Sequence, residues 1–151
     1  MTVAAALDIV IVSFNARDHL ARCLASIAAH PPERPHTVIV VDNASEDGSA
    51  ALVAREFPAV RLVALDENRG FACGCNAGIR AGRGELVLLL NSDTIVPAGA
   101  LDRLVAALER TPEAAVAGPR PARARRPPPR RRTSGAPSAG SAPAVAPAGA
   151  R

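Results

Sequence analysis

The chain contains no lysine, which excludes a phosphate-binding loop that depends on a lysine. No apolar run approaches the roughly 20 residues that cross a bilayer. The N-terminal stretch to Phe14 has no basic region, and Asp8 interrupts its apolar run, so we interpret it as a strand and not a signal peptide. Only three cysteines are present, Cys23, Cys73 and Cys75. Without an export signal, we expect reduced thiols and a cytoplasmic location. A zinc site is not expected, because the C-x-C pair has no second pair of ligands.

Acidic residues are missing from the C-terminal part of the chain. Residues 119–151 contain eight arginines and no acid, whereas residues 1–118 contain ten arginines and 14 acids. The basic character therefore belongs to the last 33 residues and does not indicate a nucleic-acid surface on the rest. No aromatic residue alternates with these arginines, as single-strand binding favours, so no nucleic-acid partner is expected.

Strand-like and helix-like patterns alternate up to about residue 118. The predicted strands cover residues 7–14, 37–42, 60–65 and 85–90, with 114–118 beginning a fifth. The predicted helices cover residues 15–30, 48–57, 70–82 and 99–110. The first, second and fourth predicted strands are continuous apolar runs, which is typical of strands covered on both faces. We therefore predict an α/β fold, a parallel sheet with flanking helices joined by right-handed crossovers.

Polar side chains follow the predicted strands at their carboxyl ends, where sheets of this kind bind ligands. In chain order they are Ser13, Asn15, Asp42, Asn43, Asp66, Asn68, Asn91 and Asp93. Because parallel strands end at the same edge, these residues indicate one binding site.

Each acidic residue near this edge has a structural alternative. Asp93 is a metal-ligand candidate, or it caps the turn after its strand. Asp42 either contacts a ligand or forms an Asx-turn to Ser45. For Asp47, which precedes the second helix, capping is the favoured interpretation. Asn15 is predicted to cap the first helix.

Neither glycines nor histidines indicate a further site. The segment after the first strand, SFNAR, has no glycine, which argues against a nucleotidyltransferase or a dinucleotide-binding module. Glycines at 70, 74 and 78 permit close backbone approach in the third helix. His19, His30 and His36 are scattered, so a structural role is preferred for each.

Four segments carry a family resemblance over about residues 7–120 without a gap. They are IVIVSFNARDHLARCLASI, VIVVDNASEDGSA, ENRGFACGCNAGIRAGRGELVLLLNSDTIV and LDRLVAALERTPEAAVAGPR. Together they resemble the N-terminal half of a family 2 glycosyltransferase of the rhamnosyltransferase-like branch, which has the Rossmann-like GT-A fold.

The resemblance implies roles for individual residues. The nucleoside pocket would be lined by Ser13, Asn15, Asp42 and Asn43. The diphosphate and sugar would lie near Asn68, Gly70 and Asn76. The family's metal-binding DxD motif aligns with Asn91, Ser92 and Asp93. Because asparagine replaces the first aspartate, the metal role rests on Asp93 alone.

The implied reaction is inverting transfer of a sugar from a nucleotide-diphosphate sugar to an acceptor hydroxyl. The acceptor would be a saccharide or lipid-linked saccharide, and the pathway cell-surface polysaccharide synthesis. Mg²⁺ or Mn²⁺ would stabilise the leaving diphosphate. The resemblance implies that the general base lies in the second half of the domain. A non-catalytic remnant that binds nucleotide sugar weakly is the alternative.

Residues 119–151 break the pattern, because 28 of these 33 residues are Ala, Arg, Pro or Gly. Such a segment buries too little apolar area to offset its ordering entropy, so we expect it to be disordered. One hypothesis is a shifted reading frame near residues 118–121, which predicts that another frame of the gene encodes the family's continuation. The alternative is a genuine basic tail that contacts anionic lipid at the inner membrane face.

Overall fold

Four parallel strands alternate with four helices along residues 5–119, which are the residues that the computed structural model describes. The strands are β1 (Leu7–Ser13), β2 (His36–Asp42), β3 (Arg61–Ala64) and β4 (Leu86–Asn91). The helices are α1 (Arg17–Ala29), α2 (Ser49–Glu56), α3 (Gly70–Ala81) and α4 (Ala100–Glu109). This confirms the predicted α/β alternation. The expectations for the C-terminal segment fall on residues 120–151, outside the described range.

The strand order β3-β2-β1-β4 places the first strand in the interior of the sheet. The chain leaves β1 in one direction to form β2 and β3, then returns to the other side of β1 to form β4. Ser13 is in register with Asp42 on one side, and Val12 with Asn91 on the other. The ends of three strands therefore meet at one edge, and the order reverses between β1 and β4. A crevice at such a reversal is where α/β sheets bind ligands.

The apolar core lies on both faces of β1. On one face α1 buries Leu20, Cys23, Leu24 and Ile27, the stripe that the sequence spacing predicts. On the other face a smaller cluster forms around Val10, Ile39 and Val41. There α3 packs directly on the strands, because Gly74 and Gly78 have no side chain to keep it away. This close packing brings the first turn of α3 to the edge formed by the carboxyl ends of the strands.

One face of β4 is open in the described part of the chain. Leu86, Leu88 and Leu90 pack against the main core, whereas Val87 and Leu89 are 43% and 48% exposed. The prediction that this strand is covered on both faces is therefore wrong for residues 5–119. The physical reason is that α3 packs over β1 and β2 and not over β4.

The predicted start of a fifth strand at residues 114–118 is also wrong. This segment has no strand geometry, and its only large side chain, Val116, is 85% exposed. Alanine and glycine offer little apolar area to bury, so nothing offsets the cost of pairing with the edge of β4. Within residues 5–119, no helix has the length and hydropathy needed to cross a membrane.

Candidate functional site at the strand-order reversal

A cleft of about 360 Å³ opens beside the carboxyl ends of β1 and β4, and we call it the switch-point cleft. Its lining comes from two strand ends, the loops that follow them and the first turns of two helices. The lining residues are Val12, Ala16, His19, Phe71, Asn91, Ser92 and Asp93. Two of the predicted donor and metal residues, Asn91 and Asp93, thus lie together in this cleft.

Asp93 is exposed in the cleft, two residues after the end of β4. The turn there is closed by a backbone hydrogen bond, in which the Thr94 N–H donates to the Asn91 carbonyl over 3.2 Å. The turn therefore does not depend on the Asp93 carboxylate as a cap. This position leaves the carboxylate available to a ligand.

The thiol of Cys23 lies between this turn and the core. Its Sγ is 3.7 Å from the carbonyl oxygen of Asn91, to which it donates. Burial, and then the negative charge of Asp93, raise the pKa of Cys23 to about 11. The thiol therefore stays protonated at neutral pH and ties α1 to the end of β4.

Ser13 and Asp42 form a second polar pair, side by side at the ends of β1 and β2. They are only 1% and 3% exposed. One oxygen of Asp42 accepts a hydrogen bond from the Ser45 N–H at 3.1 Å, which forms the Asx-turn that was the structural alternative for this residue. Its other oxygen, Oδ1, and the Ser13 Oγ have no partner among the described residues. Unsatisfied buried polar atoms are costly, so these two are suited to a ligand that supplies the missing partners.

The loop after β3 is held by two asparagines. The Asn43 side chain donates to the Asn68 Oδ1 over 2.8 Å, and its own Oδ1 accepts from the Arg69 N–H at 3.0 Å. Asn68 Oδ1 also accepts from the Gly70 N–H at 2.9 Å. Gly70 has a φ of +79°, which glycine adopts without strain. The structure thus brings these three predicted residues together, with both asparagine side chains engaged by the protein.

Asn15 is placed at the edge, but the prediction that it caps α1 is wrong. Its Oδ1 accepts from the Glu46 N–H at 2.9 Å, which ties the loop after β1 to the loop after β2. The helix begins at Arg17, whose N–H donates to Asp47 over 2.8 Å. A residue 30 positions away does the capping, which no local pattern could indicate.

Asp47 also fulfils its predicted role at α2. Its Oδ1 accepts from the N–H of Ser49, the first residue of that helix, at 3.0 Å. A hydrogen bond from the Ser49 hydroxyl, followed by those from backbone N–H groups, lowers the pKa of Asp47. One carboxylate therefore serves the N-termini of two helices.

Asn76 is the predicted residue that the structure does not bring to the cleft. It is exposed in the middle of α3 and does not line the cleft. Conversely, His19 and Phe71 line the cleft without having been predicted. Their positions depend on how α1 and α3 pack on the sheet, which the sequence does not show. The one feature of the sequence that could have indicated this site was the large aromatic Phe71 beside Gly70.

The oxygen groups of the cleft fit a small divalent cation. A carboxylate, an amide oxygen and a hydroxyl at 91–93 are the hard donors that Mg²⁺ and Mn²⁺ prefer. No group of three or more His, Cys, Asp or Glu side chains suited to a metal occurs within residues 5–119. The protein thus offers one carboxylate, and phosphate oxygens and water would complete the shell.

A parallel sheet with a cleft at its strand-order reversal, and an exposed carboxylate just after β4, is the arrangement expected of the GT-A class of fold. Residues 8–144 match the model of the family described as Glycosyl transferase family 2. The chain therefore belongs to this family. The match continues beyond residues 118–121, where the sequence composition led us to expect a break.

Two curated relatives illustrate the family. The succinoglycan biosynthesis protein ExoO of Rhizobium meliloti is 40% identical over 97 residues, which cover 64% of this chain and 28% of ExoO. The N-acetylglucosaminyl-diphospho-decaprenol L-rhamnosyltransferase of Mycobacterium tuberculosis is 33% identical over 125 residues, covering 75% of this chain and 40% of that enzyme. The chain thus spans less than half the length of either relative.

Solved structures confirm the fold. A mannosyltransferase from Pyrobaculum calidifontis, in complex with GDP-Man and Mn²⁺, superposes with a TM-score of 0.59 at 28% identity. The superposition covers 66% of this chain and 31% of that one. Staphylococcus aureus TarS in complex with UDP-GlcNAc gives a TM-score of 0.61 at 22% identity, covering 69% of this chain and 31% of TarS. At that identity TarS supports the fold alone.

Proposed function

We propose that this chain is the donor-binding half of a metal-assisted, inverting glycosyltransferase. It would bind a nucleotide-diphosphate sugar, and the sugar would pass to a hydroxyl of a saccharide or lipid-linked saccharide acceptor. The position of Asp93, exposed in the switch-point cleft directly after β4, carries this proposal.

The nucleoside end of the donor is assigned to Ser13 and Asp42. Their unpartnered oxygens lie buried at the ends of adjacent strands. A base N–H or a ribose hydroxyl would satisfy the Asp42 oxygen and remove the cost of leaving it unpaired. Asn15 and Asn43 contribute by holding the loops around this pair.

The diphosphate is assigned to the switch-point cleft. Asp93 would hold Mg²⁺ or Mn²⁺, with Asn91 beside it. When bound, the ion would stabilise the negative charge that develops on the leaving diphosphate. Asn68 would act by holding Gly70 and the start of α3 in place. The role of Asn76 near the sugar rests on the family resemblance alone.

The relatives support both the donor class and the pathway. The mannosyltransferase from Pyrobaculum calidifontis is described with GDP-Man and Mn²⁺ bound. The two curated relatives are named for succinoglycan biosynthesis and for rhamnosyl transfer to a decaprenol-linked saccharide. We accordingly place this chain in cell-surface polysaccharide synthesis, in the cytoplasm at the inner membrane face. Residues 1–118 form the donor half in this proposal, and the general base belongs to the acceptor half.

Titration calorimetry with UDP, GDP and dTDP, each with and without Mn²⁺, tests the metal assignment. We expect Mn²⁺ to strengthen binding of one nucleotide at least tenfold, and Asp93→Ala to remove that gain, because the carboxylate anchors the ion. Glu85→Ala is the matched control, since Glu85 is an exposed acid directly before β4, at the opposite end of that strand from Asp93. Binding that is independent of metal and unchanged in Asp93→Ala would falsify the metal assignment.

A further inference from the structure

His19 lines the same cleft as Asn91, Ser92 and Asp93, although it lies more than 70 residues before them in the chain. It is exposed in the first turn of α1, so its imidazole takes no part in the apolar core. The packing of α1 on the sheet through Leu20 and Cys23 fixes where this turn lies.

Arg22 determines which nitrogen of the imidazole carries the hydrogen. The Arg22 Nη2 lies 3.0 Å from the His19 Nδ1, and the Arg22 Nε donates to the Asp18 carbonyl over 3.3 Å. Guanidinium nitrogens only donate hydrogen bonds, so the His19 Nδ1 is the acceptor. The hydrogen of the ring then resides on Nε2, which is left as a donor.

The composition of the cleft makes this donor important. The chain has no lysine, and no arginine among residues 5–119 lines the cleft. Three of its lining residues, Val12, Ala16 and Phe71, are apolar, and Asp93 is itself negative. Within residues 5–119, His19 is therefore the one imidazole, ammonium or guanidinium group that lines the cleft where a diphosphate would bind.

We propose that His19 donates its Nε2–H to a phosphate oxygen of the bound nucleotide, with Arg22 as the residue that positions it. This inference rests on the proposed function and adds a specific protein contact to it. It also excludes His19 as a metal ligand in the same state, because Nε2 carries hydrogen and the lone pair of Nδ1 accepts the hydrogen bond from Arg22.

The experiment is titration calorimetry of the full chain with UDP, GDP and dTDP in the presence of Mn²⁺. For the nucleotide that binds, His19→Ala and His19→Leu are expected to weaken binding about tenfold, the usual effect of losing one hydrogen bond to a charged group. His19→Gln is expected to stay within about threefold, because its amide nitrogen can donate from nearly the same place. His30→Ala is the control, since His30 is exposed at the opposite end of the same helix.

The outcomes distinguish a failure of the His19 contact from a failure of the proposed function. Absence of binding by the unaltered chain to all three nucleotides overturns both. Binding that His19→Ala leaves unchanged overturns the inference alone. Titration with Mn²⁺ alone tests whether His19 contacts the metal and not the phosphate. We expect His19→Ala to leave Mn²⁺ binding unchanged, and weaker Mn²⁺ binding would overturn the phosphate contact.

A spectroscopic signature tests the role of Arg22. Long-range proton–nitrogen spectra are expected to show the Nε2–H form of His19 and a shift of Nε2 when the nucleotide binds with Mg²⁺. Arg22→Met removes the fixed partner of Nδ1, so the Nδ1–H form should appear and nucleotide binding should weaken severalfold. An Nε2 resonance that does not respond to the nucleotide would overturn the proposed contact.

Discussion

Cys23 connects the core to the carboxyl end of β4 through a single buried side chain. Its thiol is fully buried in α1 and donates to the carbonyl of Asn91, the last residue of β4. Burial and the charge of Asp93 both disfavour the thiolate, in that order. Ionisation of this one group would therefore place a negative charge under the turn that carries the proposed metal ligand.

The pKa of Cys23 predicts a loss of stability at alkaline pH. A thiol whose pKa is raised from 9.0 to about 11 holds its proton more tightly when folded. The contribution of this protonated thiol to the free energy of unfolding is thus fully present below pH 9.0 and is lost as pH rises towards 11. The chain has no lysine or tyrosine, so few other groups titrate in this range.

Urea unfolding between pH 8 and pH 11 would measure this effect. We expect the free energy of unfolding to fall with pH in the unaltered chain and to fall less steeply in Cys23→Ala. Cys73→Ala, which removes an exposed thiol, should keep the slope of the unaltered chain. If the free energy of unfolding falls equally steeply with pH in Cys23→Ala and in the unaltered chain, the raised pKa of Cys23 is contradicted.

The close packing of helix α3 on the sheet depends on glycines, which have no side chain. Its buried residues are Gly74, Cys75 and Gly78, so its inner face is mostly backbone. A Cβ at Gly78 would overlap Val10 and lie 3.1 Å from Val41. Close approach of this helix positions its first turn, and with it Phe71, at the cleft.

Gly78→Ala is therefore expected to destabilise the fold although alanine favours helices. Overpacking of this kind costs about 1–3 kcal/mol, against a gain of about 1 kcal/mol in helix propensity. Thermal unfolding monitored by circular dichroism should show a lower midpoint for Gly78→Ala. The exposed Cys73→Ala in the same helix should change stability by less than about 0.5 kcal/mol. An unchanged or higher midpoint for Gly78→Ala would argue against close packing of α3.

On the scale of the whole molecule, the described residues leave apolar surface uncovered along β4. Val87, Leu89 and Ile95 are 43%, 48% and 58% exposed. On its outer side, β4 has no pairing strand among residues 5–119. An exposed apolar face beside an open strand edge favours association between chains.

We predict that the chain self-associates in a concentration-dependent manner. Sedimentation velocity over a hundredfold concentration range should show larger species, and Val87→Thr with Leu89→Thr should reduce them while preserving strand propensity. A paired Ala51→Glu and Ala54→Glu change on the exposed side of α2 serves as the surface control. A monodisperse monomer with a sharp cooperative thermal transition would count against this prediction.

Much of the fold could be predicted because the relevant signals are local. The stripe of Leu20, Cys23, Leu24 and Ile27 and the apolar runs of β1 and β2 each depend on spacing within one element. Parallel alternation then places all strand ends at one edge, so Ser13, Asp42 and Asn91 could be assigned to it. The errors, such as the cap of α1, arose where a partner lies far away in the sequence.

By itself, the sequence determined the α/β alternation and placed the candidate site, with Asp93, at the carboxyl ends of the strands, because hydrophobic periodicity and the succession of elements along the chain are local features. Only the tertiary structure decided which side chains from distant segments lie together at the carboxyl ends of the strands. The cap from Asp47 to Arg17, the unpartnered atoms of Ser13 and Asp42, and the place of His19 each require distant segments to pack together. Such contacts are set by the three-dimensional packing of helices on the sheet, which the spacing of residues along the chain does not predict.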